Sequence, residues 1–178
     1  MSEHKKHEQE KKQIFGVYIR SALTMKVILS ITEIGKNIKQ NLEKYISKKI
    51  EGRCIVEGFI KPNSIKVISY SCGTVNGDFI EFQTVFECMI CHPVEGMIIQ
   101  CQTKTITKAG IHAEVIDDDG IVPLTIFVAR DHHHKDKLFK SINENSKIFV
   151  RVIGIRYELN DPYISVIGEL TEQKYEKS

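Results

Sequence analysis

Hydrophobic positions change their period several times along the chain. Between residues 31 and 50, Ile31, Ile34, Ile38, Leu42, Tyr45, Ile46 and Ile50 recur at helical spacing, and Lys36, Lys39, Glu43 and Lys48 fill the opposite side. Just ahead, Ser30-Ile31-Thr32-Glu33 forms a capping box: the hydroxyl satisfies an orphan amide of the first turn and the glutamate reaches back. The pattern predicts an amphipathic helix of roughly five turns that stops near Gly52. Before it, Ile14–Leu29 is rich in β-branched and aromatic residues and predicts a long first strand. After it, "RCIVEGFIK", a Pro62-Asn63-Ser64 turn and "IKVISYS" predict two more strands. A flexible loop with two glycines, "CGTVNGD", then leads into "FIEFQTVFECMI", whose alternation suits a half-buried sheet carrying the helix. Residues 14–92 therefore predict an α+β unit, one helix on an antiparallel sheet.

His92-Pro93-Val94-Glu95-Gly96 marks a boundary. "MIIQCQTKTITKAGIHAEVID" gives two strands around Lys108-Ala109-Gly110, and "VPLTIFVA" gives a third after an acidic turn. A short helical or irregular piece, about 131–143, connects to "KIFVRVIGIRY" and a closing strand "ISVIGEL". Five short strands with a helical connection between the third and fourth is the order of an all-β, S1-type oligonucleotide-binding (OB) barrel, expected over residues 93–172. Residues 154–170 then read as the fourth strand, a tight polar turn and the fifth strand, which closes the barrel. The charged segment 1–13 lacks the apolar stretch of a secretory signal and is expected to be a disordered extension; 173–178 is a charged tail.

Charge becomes informative only when divided. The net +2 separates into +4 over residues 1–93 (14 Lys and Arg against 10 Asp and Glu) and −2 over residues 94–178 (11 against 13). Neither half has the balance of a protein whose main work is gripping phosphates, so a nucleic-acid role must be local or auxiliary. The five cysteines, an odd number without framework spacing, fit reduced thiols and an intracellular setting. No apolar run reaches the length of a membrane span.

Two landmarks carry a resemblance. "NLEKYISKKIEGRCIVEGFI" is a lysine-rich helix running into Glu-Gly-Arg-Cys and a strand, and "KIFVRVIGIRYELNDPYISVIGEL" is a Val-Ile-Gly-x-Arg strand, Asn-Asp, then an Ile-Gly-x-Leu strand. Both resemble the stalk subunit of multisubunit DNA-dependent RNA polymerases, the family of the seventh subunit of RNA polymerase II and its archaeal counterpart. "FQTVFECMICHPVEGMIIQCQTKTITKAGIHAEV" is similar to that family's crossover from N-terminal tip domain to S1 barrel, and "IFVARDH" to its third barrel strand. The likeness covers about residues 14–172. An isoleucine- and lysine-heavy composition fits a version encoded by a large DNA virus, and equally an A/T-rich cellular genome. The family implies a non-catalytic subunit at the site of transcription, whether nucleus, cytoplasm or virion. Its tip docks on the polymerase core, against the largest subunit and a neighbouring small subunit near the base of the clamp. A smaller stalk subunit packs alongside, and the barrel lies near nascent single-stranded RNA. By position, Ser71, Cys72, Gly73, Thr74, Val75, Asn76, Gly77 and Asp78 are the candidate core-docking residues. A free-standing S1 protein of translation or RNA decay is the alternative, disfavoured by the −2 barrel half.

OB-type barrels hold single strands by stacking bases on aromatics and tracking the backbone with cations. Lys104, Lys108, Arg130, Arg151 and Arg156 are the candidate cations, and His112 and Phe127 the candidate stacking groups, with Tyr157 an outlying one. Arg151 and Arg156 have opposite strand parity, so they are not expected on one face. Other motifs point to structure. Cys88-Met89-Ile90-Cys91 is a C-x-x-C, but residues three apart in a strand face opposite ways and no second pair completes four ligands. The imidazoles of "DHHHKDK" (131–137) are consecutive and do not aim at one point. Asp117-Asp118-Asp119-Gly120 lacks the spaced ligands of a calcium loop and reads as a hairpin turn. No phosphate-binding glycine loop, H-E-x-x-H or G-x-S-x-G is present, so catalytic residues, metal and cofactor are expected to be none.

Overall fold

The computed structural model describes residues 17–133 and 137–171, and only the backbone of 132, 133, 137 and 138. The extension 1–13, residues 14–16 of the first expected strand, His134 of the histidine run and the tail 173–178 lie outside the described residues.

Two long strands carry the first half. β1 (Tyr18–Ser30) pairs antiparallel with β6 (Phe79–Cys91) along its whole length, from Tyr18 opposite Cys91 to Ser30 opposite Phe79. The other side of β6 takes β3 (Gly58–Ile60), β4 (Lys66–Tyr70) and β5 (Thr74–Asn76) in turn, and β2 (Cys54–Ile55) pairs with β3. Helix α1 (Ile38–Ile50) buries Leu42, Ile46 and Ile50 against Val27, Phe82 and Phe86. The helix is about three and a half turns rather than five. The capping box at Ser30 forms, with Ser30 N donating to Glu33 Oε2 at 3.0 Å, but it caps a 3-10 turn, Ile31–Glu33. Gly35, a poor helix former, separates that turn from α1, which starts after Asn37. "RCIVEGFIK" is likewise two strands, not one. Gly58, the first residue of the second, has φ +133° and lies so close to β6 that a Cβ would run into the Cys91 carbonyl.

The second half is a closed barrel of β7 (Ile98–Ile106), β8 (Gly110–Val115), β9 (Leu124–Ala129), β10 (Lys147–Arg156) and β11 (Ile164–Leu170). Its order is β7–β8–β9–β11–β10 and back to β7; β9 and β11 run parallel and every other pair antiparallel. A 3-10 turn (Arg130–His133) and a short helix α2 (Lys137–Ser141) bridge β9 to β10, where the sequence places its helical connection. Thr103 is buried there. Its hydroxyl donates to the Asn143 carbonyl at 2.7 Å and accepts from Ser146 N at 2.8 Å, fixing the return of the chain into β10.

Sheet and barrel share a core. Cys54, Phe59 and Cys91, opposite one another across β2, β3 and β6, belong to the same buried cluster as barrel residues Ile99, Leu124, Val150 and Ile164. The seven residues between β10 and β11 make the expected tight polar turn, with Asp161 N donating to the Glu158 carbonyl at 3.2 Å, and the same loop reaches the sheet. Cys54 N donates to the Asp161 carbonyl at 2.8 Å, Asn160 N donates to the Cys54 carbonyl at 2.9 Å, and Tyr157 Oη donates to the Val56 carbonyl at 2.9 Å. On the other flank the acidic turn docks as well. Asp117, its side chain 8% exposed, accepts from Tyr18 Oη at 3.0 Å and, through Oδ1, from its own turn's Asp119 N and Ile121 N. Lys61 Nζ lies 2.8 Å from Asp119 Oδ2 and 5.3 Å from the Tyr18 ring centroid. Burial, then the bond to Asp117, push the Tyr18 phenol above its ordinary range, and the hydrogen-bonded Asp119 carboxylate holds the Lys61 ammonium up. Asp117→Ala strips three hydrogen bonds from a nearly buried carboxylate and is expected to lower unfolding stability by about 2–3 kcal/mol, with Asp117→Asn losing less. Urea titration measures both, and a loss within about 0.5 kcal/mol for the alanine would contradict this role.

Candidate nucleic-acid and docking surfaces

The outer face of β8 and β9 is the part of the barrel best equipped to stack a base. His112 and Phe127 are cross-strand partners with ring centroids 4.8 Å apart at 46°. The row continues through Thr105 on β7 and Ile167 on β11, the latter 52% exposed. His112 is exposed and Phe127 half-buried, so the imidazole is the open stacking face. Gly110 makes room for this: a Cβ there would stand 2.9 Å from Phe127 Cζ and clash with the Val128 carbonyl.

Of the predicted cations, Arg130 and Lys108 come to the same end of the barrel. Arg130 Nη2 donates to the Thr107 carbonyl at 3.0 Å, bracing the β7–β8 connection that carries exposed Lys108, and its guanidinium lies 5.2 Å from the Phe139 ring centroid. Lys104 is on adjoining β7 but is paired with Glu114 at 2.6 Å. Arg151 meets Glu169 at 3.6 Å and Arg156 meets Glu158 at 3.9 Å. The parity expectation for these two arginines is overturned. A bulge between Val152 and Gly154 inserts one residue, so Arg151 and Arg156 both face solvent while Ile155 packs on the core. Tyr157 is half-buried at the junction, where its hydroxyl donates to the Val56 carbonyl.

The candidate docking segment, residues 71–78, is exposed throughout. It is not a plain loop, because Thr74–Asn76 pairs with the first residues of β6 through a turn at Gly77-Asp78, with Gly77 at φ +61°. Its neighbours were not legible as a group in sequence. Val75 (67% exposed) and Phe79 (54%) lie on β5 and β6, and the Asp78 carbonyl accepts from Ile31 N at 3.0 Å, bringing exposed Ile31 alongside. Exposed apolar side chains therefore lie at the end of the sheet farthest from the barrel, about 40 Å along β6 from Cys91, with Val75 (opposite Ile80) and Phe79 on opposite faces.

A closed five-stranded barrel in OB order, its closing loop locked to a helix-braced sheet, defines a two-part OB-barrel protein. The chain is similar to DNA-directed RNA polymerase II subunit RPB7 of Glycine max, 23% identical over 160 residues that span 76% of this chain and 88% of the relative. It is comparably similar to DNA-directed RNA polymerase II subunit 7 of Arabidopsis thaliana, at 22% over the same shares. A putative DNA-directed RNA polymerase subunit of Acanthamoeba polyphaga mimivirus is 23% identical over 88% of this chain and 83% of its own length. The resemblance to the polymerase stalk family, cellular and viral, is borne out by these relatives. No family model matches the chain.

The C-x-x-C thiols part company, as strand geometry requires: Cys88 enters the core beneath α1 and Cys91 the core shared with the barrel. Among the described residues no group of three metal-ligating side chains converges, and the histidine run falls largely outside them. Burial, the dominant cause in each case, pushes Cys54 and Cys88 up to about 11 and Cys91 and Cys101 up to about 12. Cys72 alone among the five is exposed. A thiol alkylating agent at pH 8 is expected to modify one cysteine quickly in the folded protein, and Cys72→Ser to abolish that fast phase. The linkage sign follows from the raised thiols: above about pH 9 the unfolded chain releases protons that the native state retains, so stability is full below that pH and falls as pH rises toward 12. Denaturation midpoints flat from pH 8 to 11 would contradict it.

Proposed function

We propose that this chain is a non-catalytic stalk subunit of a DNA-dependent RNA polymerase, working where transcription takes place. Residues 14–92 act as the docking unit and 93–172 as the RNA-facing barrel. The exposed apolar end of the sheet, Ile31, Val75 and Phe79 with segment 71–78, seats on the polymerase core beside its largest subunit and a small neighbour near the clamp base. A smaller stalk subunit packs along sheet and barrel. The His112–Phe127 pair, with Lys108 and Arg130 close by, steadies nascent single-stranded RNA. The observation that carries this reading is the union of an OB barrel and a helix-braced sheet in one chain, over the span in which named polymerase subunits match. Stacking contributes about 1–3 kcal/mol per base and does not read sequence, which suits a surface that every transcript must pass.

Affinity capture of the tagged chain from its native source tests the assignment. The large polymerase subunits are expected to co-purify in gentle salt. Val75→Asp with Phe79→Asp is expected to release them while leaving the barrel folded, since both side chains are exposed. Capture that brings no polymerase subunit refutes the assignment; capture unaffected by the double substitution refutes the docking site. His112→Ala with Phe127→Ala is expected to weaken single-stranded RNA binding by about tenfold, read by fluorescence anisotropy.

A further inference from the structure

Of the five barrel cations expected to hold a nucleic-acid backbone, three, Lys104, Arg151 and Arg156, are paired with Glu114, Glu169 and Glu158. Helix α1 presents the opposite situation. From Lys36 to Arg53 there are six cations and two acids, and Lys36, Lys39, Lys44, Lys48, Lys49 and Arg53 are all exposed. The two acids lie along one side of the helix, in a groove that Lys44 also lines. Glu43 Oε1 accepts from Val67 N at 2.9 Å and Glu51 Oε1 from Ile65 N at 3.2 Å, so both carboxylates are bound to the backbone on the β4 side. Among the described residues no carboxylate forms an ion pair with these six cations.

Helix stability does not explain the arrangement. Lys44 and Lys48 are like charges one turn apart, which repel. Lys36 and Lys39 stand at the positive end of the helix, where a cation is unfavourable and where no acid occupies the first turn. Only Lys48 and Lys49, in the last turn, suit the helix dipole. Between the lysines Tyr45 is 37% exposed, with Lys49 Nζ 5.9 Å from its ring centroid. Mobile ammonium groups beside an open aromatic ring are the components with which proteins follow a phosphodiester chain. We propose that the outer surface of α1 binds the phosphate backbone of nucleic acid, so that the sheet half, and not the barrel, supplies the electrostatic grip. The inference stands on the charge and geometry of the helix and does not depend on the polymerase assignment.

The test is a salt titration of binding by the full chain, read by anisotropy, with a labelled single-stranded RNA of about 20 nucleotides in one arm and duplex DNA of equal length in the other. Neutralising Lys44, Lys48 and Lys49 together to Gln is expected to reduce the logarithmic salt slope for RNA by about 2 and affinity near 0.1 M salt by about 10- to 100-fold. The triple Lys→Arg variant keeps both. His112→Ala with Phe127→Ala lowers affinity without changing the slope, which separates failure of this site from failure of the barrel site. Thermal midpoints of the two lysine variants are expected to stay near wild type, because the three side chains are exposed. A larger effect on one arm identifies single strand or duplex as the preferred form. An unchanged slope in both arms for the Gln variant, or no binding by the wild type at low salt, overturns the proposal.

Discussion

The backbone bridge between Cys54 and Asn160-Asp161 is the constraint on which the rest of the molecule depends. A two-residue strand, β2, is too short to hold itself against a sheet, and the loop closing the barrel carries polar backbone that must find partners when covered. Each solves the other's problem: the Cys54 amide and carbonyl take the Asp161 carbonyl and the Asn160 amide. Phe59, 1% exposed on the neighbouring strand, can then be buried against barrel residues, worth about 2–3 kcal/mol for a side chain of its size. Asn160 accepts a left-handed backbone, φ 70°, to make the reach, a conformation asparagine tolerates better than most residues.

The consequence is stiffness between two parts that a linear reading separates at residues 92–96. β6 delivers the chain straight into β7, but a single covalent crossing would leave a hinge. Two further contacts on opposite flanks, the Tyr157–Val56 bond on one and the Tyr18–Asp117 and Lys61–Asp119 contacts on the other, oppose bending in either direction. Interfaces within a chain default to relative motion unless they are large and apolar; here a shared buried cluster supplies the apolar part and charge-assisted bonds fix the register.

Much of this was legible in the amino-acid pattern, and what was not has specific causes. The barrel's strand order follows from five alternating segments and a helical connection, all local signals. The α1 face is legible in its period, but its start is not, because a capping box looks the same ahead of a 3-10 turn as ahead of an α-helix and Gly35 breaks the run between the two. Parity failed for Arg151 and Arg156 because a bulge changes the count and leaves no dependable mark in sequence. The acidic turn was correctly a turn, yet its partners Tyr18 and Lys61 are distant in sequence, and only folding brings them near. Candidate site residues divided similarly: His112 and Phe127 proved to be neighbours, whereas the paired state of Lys104, Arg151 and Arg156 depends on cross-strand or nearby carboxylates that side-chain type alone does not reveal.

Net charge misled in an instructive way. A half with a balance of +4 and a half with −2 look equally unsuited to phosphate, because the sum counts every carboxylate as a counter-charge wherever it points. In α1 the two glutamates are bound to the edge of β4 and its approach, so they neutralise backbone dipoles rather than lysines. On the barrel the glutamates sit against the cations themselves. The same formal composition thus yields an open basic surface in one place and a quenched one in the other, and local pairing decides where a polyanion finds its grip. Exposed ion pairs contribute little to stability, typically well under about 1 kcal/mol, so the barrel's pairs act chiefly by cancelling field.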